Sequence, residues 1–124
     1  GLEPGPCLRG DWLPASGYAA GRQLLADGDL PTAVFVANDQ MCQGLLRAFA
    51  ETGVRCPDDV SLVGFDDFLG TDQYTPPLTT VRQDFSLLGE VCVEMLLAQI
   101  SGGPTPARSL VPELVIRKST APPR

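Results

Sequence analysis

The sequence predicts an α/β fold built on a mostly parallel sheet, and three observations lead there. Short apolar runs, AVFVA at 33–37 and VSLVGF at 60–65, lack polar alternation, which suits strands covered on both faces. Helical patterns stand between the runs at short loop lengths, the arrangement of βαβ units. Polar residues gather where the runs stop: Trp12 after Gly10-Asp11, Asn38-Asp39-Gln40 after one run, Asp66-Asp67 after the other.

The elements follow in order. Residues 1–6 read as loop, and CLRGDW (7–12) has weak strand character. Pro14 and Ser16 open a helical stretch with Tyr18, Gly21, Leu24 and Leu25 on one face and Gly28 as its stop. LPTAVFVA (30–37) reads as a buried strand. A second helix is expected over 38–53, with Met41, Leu45, Ala48 and Phe49 at helical spacing and Gly53 closing it. CPDD (56–59) is turn chemistry, and a third strand covers 60–65. A polar loop with a single helical turn (66–77) and a fourth strand, LTTV (78–81), come next. The longest helix, 84–101, is apolar almost all round: Phe85, Leu88, Val91, Cys92, Met95, Leu96 and Ile100 form a face that Leu87, Val93 and Leu97 widen. Such a helix wants cover on more than one side. RSLVPELVIRKS closes the pattern as a strand broken by Pro112.

Composition narrows the function. The chain has 124 residues, the size of one modest domain or part of a larger one. No apolar run nears the ~18 residues of a membrane span, and the opening GLEPGPCLRG has neither the basic nor the apolar region of a secretory signal. A net charge of −6 argues against this segment gripping nucleic acid, because phosphate binding draws on clustered Lys and Arg. The chain has no His, the commonest zinc ligand and general base. Cys7, Cys42, Cys56 and Cys92 show no CxxC spacing, and Cys42 and Cys92 fall at apolar helix positions. Reduced packing cysteines in a reducing, cytoplasmic compartment are expected, with no metal and no cofactor.

In open parallel sheets, ligands bind beyond the carboxyl ends of the strands. A flat indole at one strand end, an amide at the next and a carboxylate at a third suit a neutral polyhydroxylated ligand, whose hydroxyls both donate and accept. A phosphate would call for Arg, Lys or a Gly-rich turn. Each residue also has a plainer reading: Asn38 or Asp39 as helix cap, Asp66-Asp67 as a solvated loop start, Trp12 as core. Convergence on one sheet edge favours Trp12, Asn38 and Asp66 as ligand contacts, with Asp39 as the cap. Adjacent residues leaving a strand point to opposite sides, so Asp66 and Asp67 make a poor acid–base pair, and no catalytic residues are expected.

PTAVFVANDQMCQGLLRAFAETGVRCPDDVSLVGFDD, TPPLTTVRQDFSLLGE and LVPELVIRKST, in this order, resemble the C-terminal part of LacI/GalR-family transcriptional regulators. The resemblance implies a type I periplasmic-binding-protein-like effector domain, here an incomplete C-terminal lobe plus a crossover helix. It implies 1–81 as partial C-terminal lobe, 82–106 as a crossover segment whose helix belongs to the N-terminal lobe, and 107–124 as the returning strand and tail. It adds Gln83 and Phe85 to the ligand contacts. The strings ANDQM and QDFSLLG, with Trp12, point to a galactoside-like effector. Partners implied are a sugar or other small-molecule effector, operator DNA through a helix-turn-helix missing here, and a second copy, with Met41, Gln43 and Tyr74 at the dimer interface. A fragment with an uncovered helix 84–101 is expected to associate, by domain swapping or an unusual dimer. The competing readings are a transporter's solute-binding protein and a sugar-active enzyme.

Overall fold

A computed structural model describes residues 5–122. Its elements alternate as the patterning predicts: α1 (Pro14–Asp27), β1 (Ala33–Phe35), α2 (Asp39–Thr52), β2 (Ser61–Asp66), β3 (Thr79–Arg82), α3 (Phe85–Ile100) and β4 (Glu113–Val115). A single 3-10 turn, Thr71–Gln73, interrupts the loop after β2. The strands form one sheet in the order β1-β2-β3-β4, parallel across the first three, with β4 antiparallel to β3. The expected loop over 1–6 lies outside the described residues for 1–4.

Local chemistry sets the helix ends. Pro14 occupies the first turn of α1, where a missing N–H costs nothing. Gly28 and Gly53 stop α1 and α2 in the left-handed region, each at φ 77°. The two helices approach closely enough for backbones to touch. A Cβ on Gly17 would meet the Met41 carbonyl, and one on Gly44 the Pro14 carbonyl. The core lies between this pair and the sheet: Leu24 from α1, Cys42, Leu45, Leu46 and Phe49 from α2, and Val60, Leu62 and Leu78 from the strands and their approaches.

One face of the sheet is covered and the other is not. Leu62, Gly64 and Thr80 are buried under the helices, while Phe35, Val63, Phe65, Val81 and Leu114 share the opposite face. There Phe35 is 65% exposed and meets Phe65 edge-on, ring centroids 6.4 Å apart. This corrects the expectation from AVFVA that its strand is buried on both faces: the apolar run is there, but helices pack on one side. CLRGDW is also corrected, since 7–12 is irregular and pairs with no strand.

α3 departs from the packed body. Val91 is buried, but Phe85, Leu87, Leu88, Val93, Leu96, Leu97 and Ile100 are all exposed, Ile100 by 74%. The broad apolar face read from the sequence is thus largely exposed surface in this chain. Cys42 is buried in the core as expected; Cys92, on uncovered α3, is exposed, which corrects its assignment as a packing residue.

The tail closes the sheet between two strands. Ser119 is fully buried between the starts of β2 and β3. Its Oγ accepts from the Thr79 amide at 2.7 Å and donates to the Leu62 carbonyl at 2.6 Å, while its own carbonyl accepts from the Leu62 amide at 2.7 Å. Ser119→Ala leaves a buried donor and a buried acceptor without partners, so urea denaturation should show a loss of about 2–3 kcal/mol. An unchanged midpoint would show that the hydroxyl bridge contributes nothing.

Candidate functional site

Because β1, β2 and β3 run parallel, their carboxyl ends open on one rim, and four of the five expected ligand contacts meet there in two hydrogen-bonded pairs. Trp12, just before α1, lies in the left-handed region (φ 71°) with its side chain 60% exposed. Its carbonyl accepts from Asn38 Nδ2 at 2.9 Å. Asp66, the last residue of β2, is also left-handed (φ 103°) and accepts from Gln83 Nε2 at 2.8 Å, just beyond β3. The fifth, Phe85, opens α3 with its ring 55% exposed.

The capping role expected of Asp39 falls to Asn38. Asn38 is the cap of α2: its Oδ1 accepts from the Met41 amide at 3.0 Å. With Nδ2 holding Trp12, the amide side chain ties a helix start to the indole-bearing turn, and it is 5% exposed. One N–H and one oxygen lone pair remain for a further partner. Asp39 instead points inward, 1% exposed. Oδ1 accepts from Thr80 Oγ1 at 2.6 Å on β3, and Oδ2 from the Phe68 amide at 2.8 Å in the loop after β2. A Cβ on Gly64 would run into Asp39 Oδ1, so the glycine makes room for the carboxylate. Loss of water raises the Asp39 pKa, against the hydrogen bonds from Thr80 and Phe68 that lower it.

Asp67 turns away from Asp66, as its neighbour position requires, and becomes a structural hub. Oδ1 accepts from Arg117 Nη2 at 2.7 Å and Thr71 Oγ1 at 2.9 Å, and Oδ2 from Arg82 Nε at 2.7 Å. Burial pushes its pKa up, but the bonds from Arg117, Arg82 and Thr71 outweigh this and hold it below the ordinary carboxylate range. Arg117 also donates to the Leu78 carbonyl at 2.7 Å, fastening the tail to β3. This hub was invisible in the sequence, since Arg117 lies 50 positions from Asp67. The polar pair Thr79-Thr80 inside an otherwise apolar strand was the available sign that β3 faces buried partners.

Among the described residues no group of three His, Cys, Asp or Glu could hold a metal ion. Burial pushes the Cys56 thiol up to about 11 and the Cys42 thiol higher still, away from the reactive thiolate. Of the residues assigned to a dimer interface, Gln43 is exposed on α2 and Tyr74 is half-buried against the core. Met41 is corrected: it is buried under α1 in its own chain, because its backbone sits at Gly17 and its sulfur at Gly10.

Comparison with known proteins supplies a frame for this rim. A family model described as periplasmic binding protein-like domain matches residues 5–120. The lactose operon repressor of Escherichia coli is 46% identical over 123 residues, covering 98% of this chain and 34% of the repressor. A dimeric lac repressor with a C-terminal deletion superposes with a TM-score of 0.87 at 45% identity, over 92% of this chain and 42% of that one. A LacI family transcriptional regulator from Enterococcus faecalis, with bound ribose, gives 0.84 at 32% identity, over 92% and 43%. The chain therefore spans about a third of the curated repressor's length.

The Asp67 hub makes stability depend on pH in a stated direction. A carboxylate whose folded pKa is depressed stabilises the fold above its unfolded value of about 3.9 and loses that contribution as pH falls through the folded value. Asp67→Asn should cost about 3 kcal/mol at neutral pH by leaving Arg117 without its counter-charge. The gap from the parent chain should shrink on acidification below about pH 4. Urea titrations across that range test this, and a gap independent of pH would contradict it.

Proposed function

Because the chain belongs to the periplasmic binding protein-like domain family, in the form found in LacI-family transcriptional regulators, we propose that it is the effector-binding and dimerising part of a sugar-responsive repressor. The observation that carries this reading is the shared rim, where Trp12-Asn38 and Asp66-Gln83 stand at neighbouring strand ends. An exposed indole offers a face to the C–H side of a sugar ring, and the Asp66 carboxylate takes hydroxyl donors. Gln83 fixes the orientation of that carboxylate, and Phe85, whose amide donates to the Gln83 carbonyl at 3.1 Å, offers an exposed ring two residues on.

Under this proposal residues 1–81 and 107–124 form part of one lobe, and 82–106 carry α3 to a second lobe that supplies the other half of the cleft. The uncovered apolar side of α3 supports that division. The regulator is cytoplasmic and homodimeric, and operator DNA is gripped by a separate domain, in keeping with the acidic charge of this one. Effector binding acts by favouring one relative arrangement of the lobes, and it shifts DNA affinity only as far as its affinities for the two arrangements differ. A galactoside is the effector class proposed, from the likeness to the lactose operon repressor. The compared relatives are transcriptional repressors and a transcriptional regulator, which favours this reading over the transporter and enzyme readings.

Calorimetry of the full-length protein against galactosides, ribose and purines tests the assignment. A galactoside should bind, and Asp66→Asn should weaken it by about 10- to 100-fold, or about 1.4–2.8 kcal/mol. Full affinity in that variant would remove Asp66 from the contacts.

A further inference from the structure

Arg82 stands where the chain leaves the sheet and where it returns. It is the last residue of β3 and forms the last rung of the ladder on both sides, paired with Asp66 of β2 and with Glu113, the first residue of β4. Beyond Arg82 the chain departs for α3, and at Glu113 it comes back. The side chain follows the same layout: Nε donates to Asp67 Oδ2 at 2.7 Å, and Nη1 to Glu113 Oε2 at 3.4 Å. A guanidinium can hold two carboxylates in this way because it is a rigid fork of donors. The residues that follow continue the pattern. Gln83 donates to Asp66 at 2.8 Å, and Asp84 caps α3 by accepting from the Leu87 amide at 2.9 Å. Three consecutive residues thus hold the returning strand, the rim carboxylate and the next helix.

We propose, on the lobe division and effector reading given above, that Arg82 is a positioning residue for the effector site. Its fork joins the outgoing and returning strands, so that a shift at Asp66 reaches both together. Hinges between lobes are a few residues at the ends of elements, and Arg82 and Glu113 are such end residues on the two connections to α3. A ligand hydroxyl taken by Asp66 acts on the Asp66–Gln83 pair, and Gln83 is one residue from the fork. With the fork closed the two strands turn as one unit, and the arrangement of the lobes follows the ligand. With it open each strand yields separately, and part of the differential affinity that shifts DNA binding is lost. The tail does not need Arg82, because Asp67 holds Arg117 at 2.7 Å with its other oxygen. Coupling at the fork is therefore separable from the stability of the Asp67 hub.

Operator affinity of the full-length protein, measured with and without saturating galactoside, tests this in the parent, Glu113→Gln and Arg82→Met. The ratio of the two affinities is the coupling. Glu113→Gln opens only the cross-strand half of the fork, at an exposed side chain that bonds neither Asp66 nor Gln83. An exposed ion pair supports a change of about two- to fivefold, and the ratio should fall by that much. Arg82→Met opens both halves and should lower the ratio by at least about fivefold. Urea midpoints recorded alongside identify a purely structural role, which lowers the midpoint and leaves the ratio alone. An unchanged ratio in Glu113→Gln overturns the proposal even if Arg82→Met fails to fold. Hydrogen exchange without any sugar separates this outcome from a failure of the functional reading. The Phe85 amide, bonded to the Gln83 carbonyl at 3.1 Å, should exchange about tenfold faster in Arg82→Met. Unchanged exchange there overturns the fork whether or not a galactoside binds.

Discussion

A buried carboxylate at the start of one helix holds three parts of this fold in register. Asp39 receives Thr80 of β3 and the Phe68 amide of the loop after β2, and it sits at the amino end of α2 where the helix dipole favours negative charge. Its neighbour Asn38 reaches the other way, to the Trp12 carbonyl. Two consecutive residues therefore fix the position of the turn before α1, the end of β2 and the middle of β3. The left-handed conformations at Trp12, Asp66 and Asp67 are uncommon for residues with a Cβ. They lie in the turns these bonds and the Asp67 hub hold.

The division of labour between neighbouring acids follows from the same geometry. Asp66 and Asp39 mark the boundary between the rim and the interior: one carboxylate is half-open beside Gln83, the other closed beneath it. Asp67 belongs to the interior network through Arg117, which joins the tail to the loop and to β3. A rim built this way is positioned by groups that no ligand needs to touch, which is how binding geometry is kept when the contacts themselves lie on loops.

Much of the fold was legible because it rests on local signals. Gly28 and Gly53 stop the helices they were expected to stop, and the apolar spacing of 41–49 places α2 within a residue of its observed ends. The burial of β1 was not legible, because AVFVA reads the same whether one face is covered or two. In the rim, residue types revealed the place but not the roles. Asn38 and Asp39 are both good caps, and what separates them is Thr80, distant in sequence, which offers a hydroxyl only to the inward carboxylate. Met41 was misplaced for a similar reason: helical spacing shows that a residue is apolar-facing, while the Gly17 contact that buries it comes from another helix. Conversely, the excess apolar surface of α3 was readable from sequence alone, since no single packed face could use it all.

Asp39 ties α2 to the loop that carries the rim. Hydrogen exchange at the Phe68 amide, compared between the parent chain and Asp39→Ala, tests it most directly. The amide should be protected in the parent and exchange as an open loop in the variant, while amides within α2 stay protected. Equal protection of Phe68 in both, with α2 intact, would contradict the account.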